Sequence, residues 1–181
     1  MLPLPAHRWL ENAAAPDERL LERVDGPVLD IGCGPGRHVL ALAQVGVVAL
    51  GIDISPPAIE LARQRGAPVL RRSIFDRVPG AGRWGTALLL DGNIGIGGCP
   101  ITLLRRVASL LRPEGRLLVE LAVAGTTDVE RVRFEVDDHF GPWFSWAHVG
   151  IDDLVDHATR AHLEVIERWN DGGRPFAWLS R

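Results

Sequence analysis

The stretch Val28-Leu29-Asp30-Ile31-Gly32-Cys33-Gly34-Pro35-Gly36-Arg37-His38 constrains the fold more than any other part of the chain. It reads as a short buried strand that carries an acid, then a turn with glycine at Gly32, Gly34 and Gly36, then a helix. Glycines in such a turn let backbone N–H groups approach a ligand with no Cβ in the way. The acid discriminates among ligands. Asp30, just before the turn, repels a pyrophosphate and attracts a cation, so a positively charged, phosphate-free nucleoside suits the turn best.

Competing glycine loops fail on specific residues. The dinucleotide fingerprint is G-x-G-x-x-G, whereas this chain has G-x-G-x-G. A phosphate-binding P-loop needs a lysine, and all 20 basic residues here are arginine, which also removes Schiff-base chemistry. The eleven residues from Val28 to His38 resemble the first motif of the class I S-adenosylmethionine-dependent methyltransferases. The resemblance implies a Rossmann-like fold and S-adenosyl-L-methionine as cofactor, with Asp30, Gly32, Cys33, Gly34 and Gly36 among its contacts.

At 181 residues the chain has the size of one domain, 1–181. A net charge of −3 leaves no electrostatic footprint for nucleic acid. Cys33 lies inside the glycine turn, where a disulfide to Cys99 would tie up the loop, so free thiols are expected. No apolar run has signal-peptide or membrane-span length, and a cytoplasmic protein without a membrane partner is expected.

Strand-like and helical runs alternate along the chain, which predicts a parallel sheet with helices on both faces. Strands are expected at 28–31, 47–52, 68–71, 86–90, 116–121, 163–168 and 175–179, with helices at 37–44, 56–65, 101–111 and 151–161. Pro113 and Gly115 read as a helix stop. Only Asn170 to Arg174 separate the last two strands, too few for a parallel crossover, so they form a hairpin. The expected fold is α/β and doubly wound: a mostly parallel seven-stranded sheet closed by an antiparallel C-terminal hairpin strand, as in the family it resembles. A helical cap over 1–24 and an inserted β-hairpin flap over 125–150 complete it.

Asp53 ends the second strand about 20 residues beyond the turn, where a carboxylate can accept from both hydroxyls of a ribose. The alternative is that it caps the following helix. Ile54 would lie against the adenine. In the third segment the family often carries Gly-Asp-Ala, but Arg72 stands here and a guanidinium cannot accept the adenine amino group. Backbone around Ser73 and Ile74, or Asp76, would have to serve instead. The fourth strand leads through Asp91 and Gly92 into a glycine-rich loop, placing both beside the methionine end of the cofactor. Asn93 could orient a substrate.

Methyl transfer needs alignment and dryness first, and a base only when the acceptor must lose a proton. His139 is the first candidate base and His148 the second, both in the aromatic flap, with Asp91 a further catalytic candidate. Asp137, Asp138 and His139 are adjacent and lack a remote partner, so no metal is assigned. His38 reads as a supporting or solvated group. The small cap and aromatic flap point to a small-molecule methyl acceptor; the aromatic rings suit a homodimer interface equally well. The Asn/Asp-Pro-Pro-Tyr/Phe pattern is absent. A protein of the same fold that binds S-adenosylmethionine or S-adenosylhomocysteine without transferring the methyl remains the alternative.

Overall fold

The computed structural model describes residues 15–123, 125–133, 135–136 and 139–181, with the backbone alone given for 15, 16, 18, 135, 136, 139 and 140. The strand predicted at the opening motif is present as β1 (Val28–Ile31), and its four residues are all buried. The helix after the glycines is α2 (Arg37–Gln44), preceded by α1 (Ala15–Leu21). Then follow β2 (Ala49–Asp53), α3 (Pro56–Gln64), β3 (Val69–Arg71) and β4 (Trp84–Leu89). Ser55 caps α3, its hydroxyl accepting from the Ala58 N–H at 3.4 Å, while Pro56 and Pro57 occupy first-turn positions that need no hydrogen-bonded N–H.

A short 3₁₀ turn (Asn93–Gly95), α4 (Pro100–Ala108) and β5 (Leu111–Glu120) come next. The flap is a hairpin in two steps, β6 (Asp128–Val132) against β9 (Phe144–His148), and β7 (Glu135–Val136) against β8 (His139–Phe140). The chain closes with α5 (Leu154–Arg160), β10 (Glu164–Asp171) and β11 (Arg174–Ser180).

Seven strands form one sheet in the order β10-β11-β5-β4-β1-β2-β3. β1 runs parallel to β2 and β4, and β2 parallel to β3. β11 is antiparallel to both β10 and β5, as the short 170–174 connection requires. The predicted mixed sheet is therefore present. One boundary differs substantially: β5 starts at Leu111, five residues before the expected Arg116. α4 already ends at Ala108, and the Pro-Glu-Gly segment is a bend within the strand, with Glu114 at φ 65°, rather than a stop ahead of it.

The chain packs as two compact units, Met1–Leu88 with Leu110–Gly115, and Leu89–Ser109 with Arg116–Arg181. The first has its core in Leu29, Ile31, Val39, Leu42, Ile52 and Ile59. The second has its core in Leu103, Leu104, Val107, Leu118, Phe176 and Trp178. No helix among the described residues is long and apolar enough to cross a membrane.

Within the second unit the flap is seated on the 3₁₀ turn by backbone proximity. Ile96 bridges to Trp146, and a Cβ added at Gly95 would lie 2.0 Å from the Ala147 carbonyl oxygen. Backbone cannot yield as a flexible side chain would, so Gly95→Ala is expected to cost roughly 1–3 kcal/mol. Thermal unfolding should fall by several degrees, about 2–4 °C per kcal/mol at this chain length; an unchanged midpoint would show that β9 does not approach the turn so closely.

Candidate functional site

The glycine turn in the first unit is tied down by its own amides. The N–H groups of Gly32 and Cys33 both donate to the Ile52 carbonyl, at 2.8 and 3.1 Å, and Gly36 N–H donates to Cys33 O at 2.9 Å. Gly34 N–H donates to Asp53 Oδ2 at 2.9 Å. The expectation that these amides would point at a ligand therefore changes. They are engaged within the protein, and what the glycines supply is room: a Cβ added at Gly34 meets nothing within 4 Å. Gly36 serves packing instead, since at φ 80° it starts α2 and a Cβ there would lie 2.9 Å from that of Ala67.

Asp53 stands at the C-terminal end of β2, next to that open face. Its Oδ1 accepts from Ser55 N–H at 2.8 Å and its Oδ2 from Gly34 N–H, so the carboxylate links the two strand-end loops. Ser55, not Asp53, is the helix cap, so the capping alternative for Asp53 does not hold. Burial pushes the Asp53 carboxyl above its ordinary value, the Ser55 and Gly34 N–H groups oppose this, and the charge of Asp30 adds to the rise. A carboxylate has about four lone-pair sites, and the Ser55, Gly34 and Ile54 N–H groups do not use all of them, so capacity for a ligand's hydroxyl remains. Ile54, 64 % exposed, offers an apolar surface directly after it.

Asp30 is only 1 % exposed, so it acts on the turn through its charge more than through its surface. Its Oδ2 makes no hydrogen bond among the described residues and lies 3.6 Å from His38 Nδ1. His38 is buried, a supporting group rather than a solvated one. The Cys33 thiol faces away from the open side: a Cβ added at Gly51 would come within 2.6 Å of its Sγ. Burial, with the charges of Asp30 and Asp53, pushes that thiol far above its ordinary value. Beyond β3, the Ser73 hydroxyl accepts from Phe75 N–H at 3.2 Å, and Ile74 is buried in the core. Asp76 is exposed and its N–H donates to Ser73 O, so this segment forms a local turn. A hollow of this unit, about 460 Å³, is lined by Gly26, Pro27, Gly46, Val47 and Val48, at the amino ends of β1 and β2. Its lining carries no acid, base or nucleophile.

In the second unit Asp91 adopts φ 54°, a left-handed conformation uncommon for a residue with a side chain, and Gly92 follows at φ 79°. Asp91 is held there by Glu120, which accepts the Asp91 N–H through Oε2 at 2.7 Å. Arg174 donates to both oxygens of Glu120, Nε to Oε1 and Nη2 to Oε2, each at 2.8 Å, and its Nη2 lies 3.8 Å from Asp91 Oδ1. Neither Glu120 nor Arg174 is expected from the sequence. A signal for Glu120 is nonetheless present there, because it is another acid at the end of a buried strand, like Asp30 and Asp53.

His148 Nε2 lies 3.0 Å from Glu130 Oε1, across the β6–β9 ladder. His148 also lines a small cavity of about 80 Å³ with Gly92, Ile94, Leu121, Ala122, Ala147 and Val149. His139 is placed by its backbone in β8, opposite Val136, and its side chain lies outside the described residues, as do Asp137, Asp138 and the cap residues 1–14.

Residues 28–115 match the family described as "Methyltransferase domain". A crystal structure of an S-adenosylmethionine-dependent methyltransferase from Bacteroides fragilis, in complex with S-adenosyl-L-homocysteine, superposes with a TM-score of 0.82. That likeness runs at 26 % identity over 97 % of this chain and 81 % of the other. Trans-aconitate 2-methyltransferase of Rhodococcus jostii is 36 % identical over 77 residues, which is 39 % of this chain and 30 % of that protein. Magnesium-protoporphyrin O-methyltransferase of Rhodobacter capsulatus is 33 % identical over 72 residues, 37 % of this chain and 32 % of that protein. The chain thus matches about a third of the length of these two curated relatives.

The Glu120–Arg174 pair gives the site a stability test. Arg174→Ala leaves Glu120, 9 % exposed, without its two-pronged partner, and a broken buried ion pair costs about 3 kcal/mol. Denaturant unfolding of Arg174→Ala, Glu120→Gln and the double variant should show the double variant losing less than the sum of the singles; strict additivity would show the pair to be energetically idle.

Proposed function

Because this chain belongs to the class I S-adenosylmethionine-dependent methyltransferases, we propose that it moves a methyl group from S-adenosyl-L-methionine to a small-molecule acceptor by in-line transfer. The observation that carries the reading is Asp53. A carboxylate fixed by Gly34 and Ser55 N–H groups, with lone pairs remaining and an open glycine face beside it, suits the two hydroxyls of a ribose. Gly34 leaves that face open, with Gly32 and Gly36 completing the turn around it, and Ile54 supplies an apolar surface for adenine.

The cofactor, when bound, supplies an electrophilic methyl on a positively charged sulfur. Asp30 and Asp53 favour that charge: two carboxylates close enough for Asp30 to raise the Asp53 carboxyl make a poor site for a pyrophosphate. The residues around Ser73 and Ile74 support adenine through backbone groups, since Arg72 offers only donors. On the acceptor side, Asp91 and Gly92 are proposed to contact the methionine end of the cofactor. His148, held by Glu130 at 3.0 Å, is the described group best suited to take a proton from a hydroxyl acceptor. His139 is retained as a second candidate base. The small cavity that His148 lines and the small-molecule substrates named for the two curated relatives both favour a small acceptor over a macromolecule.

Calorimetry with S-adenosylmethionine and S-adenosylhomocysteine tests the reading directly, and failure of the protein to bind either one would overturn it. Asp53→Ala should weaken S-adenosylhomocysteine binding at least tenfold, with unchanged affinity arguing against the ribose role. The pH dependence has a definite sign. The Asp53 carboxyl is raised above its ordinary value, so acidification protonates it earlier than an ordinary aspartate and removes acceptor capacity. Affinity should therefore fall as pH drops toward and through that raised value, and this component should vanish in Asp53→Asn. For turnover, His148→Gln should lower kcat at neutral pH, most strongly for a hydroxyl acceptor; an unaltered kcat would remove His148 as the base.

A further inference from the structure

Two buried polar atoms of the first unit, Asp30 Oδ2 and His38 Nε2, make no hydrogen bond among the described residues. They belong to one chain of groups. The His38 ring presents Nδ1 to Asp30 Oδ2 at 3.6 Å and Nε2 to Asp17 Oδ1 at 4.0 Å. Asp17 comes from α1 and is held by Arg37, whose Nη1 donates to Asp17 Oδ2 at 2.6 Å. All four residues are nearly devoid of solvent contact: Asp17 and Asp30 at 1 %, His38 at 3 % and Arg37 at 5 %.

An imidazole wedged between two buried carboxylates is an expensive arrangement when an apolar residue could fill the same volume. Replacing His38 by such a residue would take away the imidazole nitrogen that stands 3.6 Å from the buried Asp30 Oδ2. A carboxylate in that state either turns away or takes up a proton. Either change removes negative charge from beneath the glycine turn. That charge is felt there, because Asp30 contributes to raising both the Asp53 carboxyl and the Cys33 thiol.

We propose that His38 is a positioning residue for cofactor binding: steadied by Asp17 and Arg37, it holds the Asp30 carboxylate in place beneath the turn, so that the turn favours the α-ammonium group of the cofactor's amino-acid half. The inference rests on the proposed reading of the turn as an S-adenosylmethionine site. It assigns His38 to the amino-acid half of the ligand and leaves the ribose half to Asp53. Replacing Asp17 should act in the same direction as replacing His38, more weakly, because it frees the ring without removing it.

A pair of ligands separates the two halves. S-adenosylhomocysteine carries the amino-acid group, and 5′-methylthioadenosine is the same thionucleoside without it. Calorimetry on the full chain should show His38→Leu binding S-adenosylhomocysteine at least tenfold more weakly, with 5′-methylthioadenosine changed less than twofold. His38→Asn, whose side-chain amide can stand where Nδ1 stands, should recover most of the loss. Asp53→Asn should weaken both ligands. Equal weakening of the two ligands by His38→Leu, or no weakening of either, overturns the proposal. If His38→Leu does not fold, Asp17→Asn decides the matter, because it must weaken S-adenosylhomocysteine selectively, by about threefold or more. Wild-type protein that binds neither ligand overturns the underlying reading of the turn, whereas wild-type binding with no selectivity in the variants overturns the role of His38 alone.

Discussion

Asp53 closes the glycine turn. With its two oxygens engaged by Gly34 N–H and Ser55 N–H, the carboxylate fixes the loop after β1 against the loop after β2, and the register of those parallel strands places it there. The Ile52 carbonyl, one residue earlier, takes the Gly32 and Cys33 N–H groups and completes the attachment. The turn needs glycines because its backbone passes through left-handed conformations at Gly32, Gly34 and Gly36. The same residues that make it possible leave one side bare, and a bare surface beside a fixed carboxylate suits a ribose.

The two units treat strand-end acids differently. In the second, Glu120 is neutralised by a two-pronged arginine and employed to hold the backbone of Asp91 in an uncommon conformation. In the first, Asp30 and Asp53 face each other's charge with no arginine among the described residues bonded to either, and Arg37 is bound to Asp17. Negative charge thus remains at the turn itself. That imbalance is physically sensible for a site that takes a cation and unfavourable for one that takes a phosphate.

Much of this fold is legible in the amino-acid sequence. The apolar run at 28–31 and the glycine spacing locate β1 and the turn within a residue, because a buried parallel strand and a left-handed turn each leave little choice of residue type. The five-residue link at 170–174 requires an antiparallel hairpin on chain-length grounds alone. Other features depend on partners distant in sequence. β5 begins at Leu111 despite Pro113, since local stop signals do not reveal that a strand can bend and continue. The pairing of Asp17 with Arg37 and His38, and of Arg174 with Glu120, spans 20 to 54 positions and leaves no periodic trace. The turn amides look available in the sequence because nothing in Gly34 itself discloses that Asp53 will occupy its N–H.

Cys33 shows what this arrangement does for the chemical durability of the loop. A sulfur nucleophile sits within the very turn proposed to hold an alkylating cofactor, where a thiolate would be open to methylation or oxidation. Pressed against the bare backbone of Gly51 and flanked by the charges of Asp30 and Asp53, the thiol is kept in its protonated, unreactive form. The carboxylates that would welcome a sulfonium thereby also disarm the one side chain in the turn that could consume it.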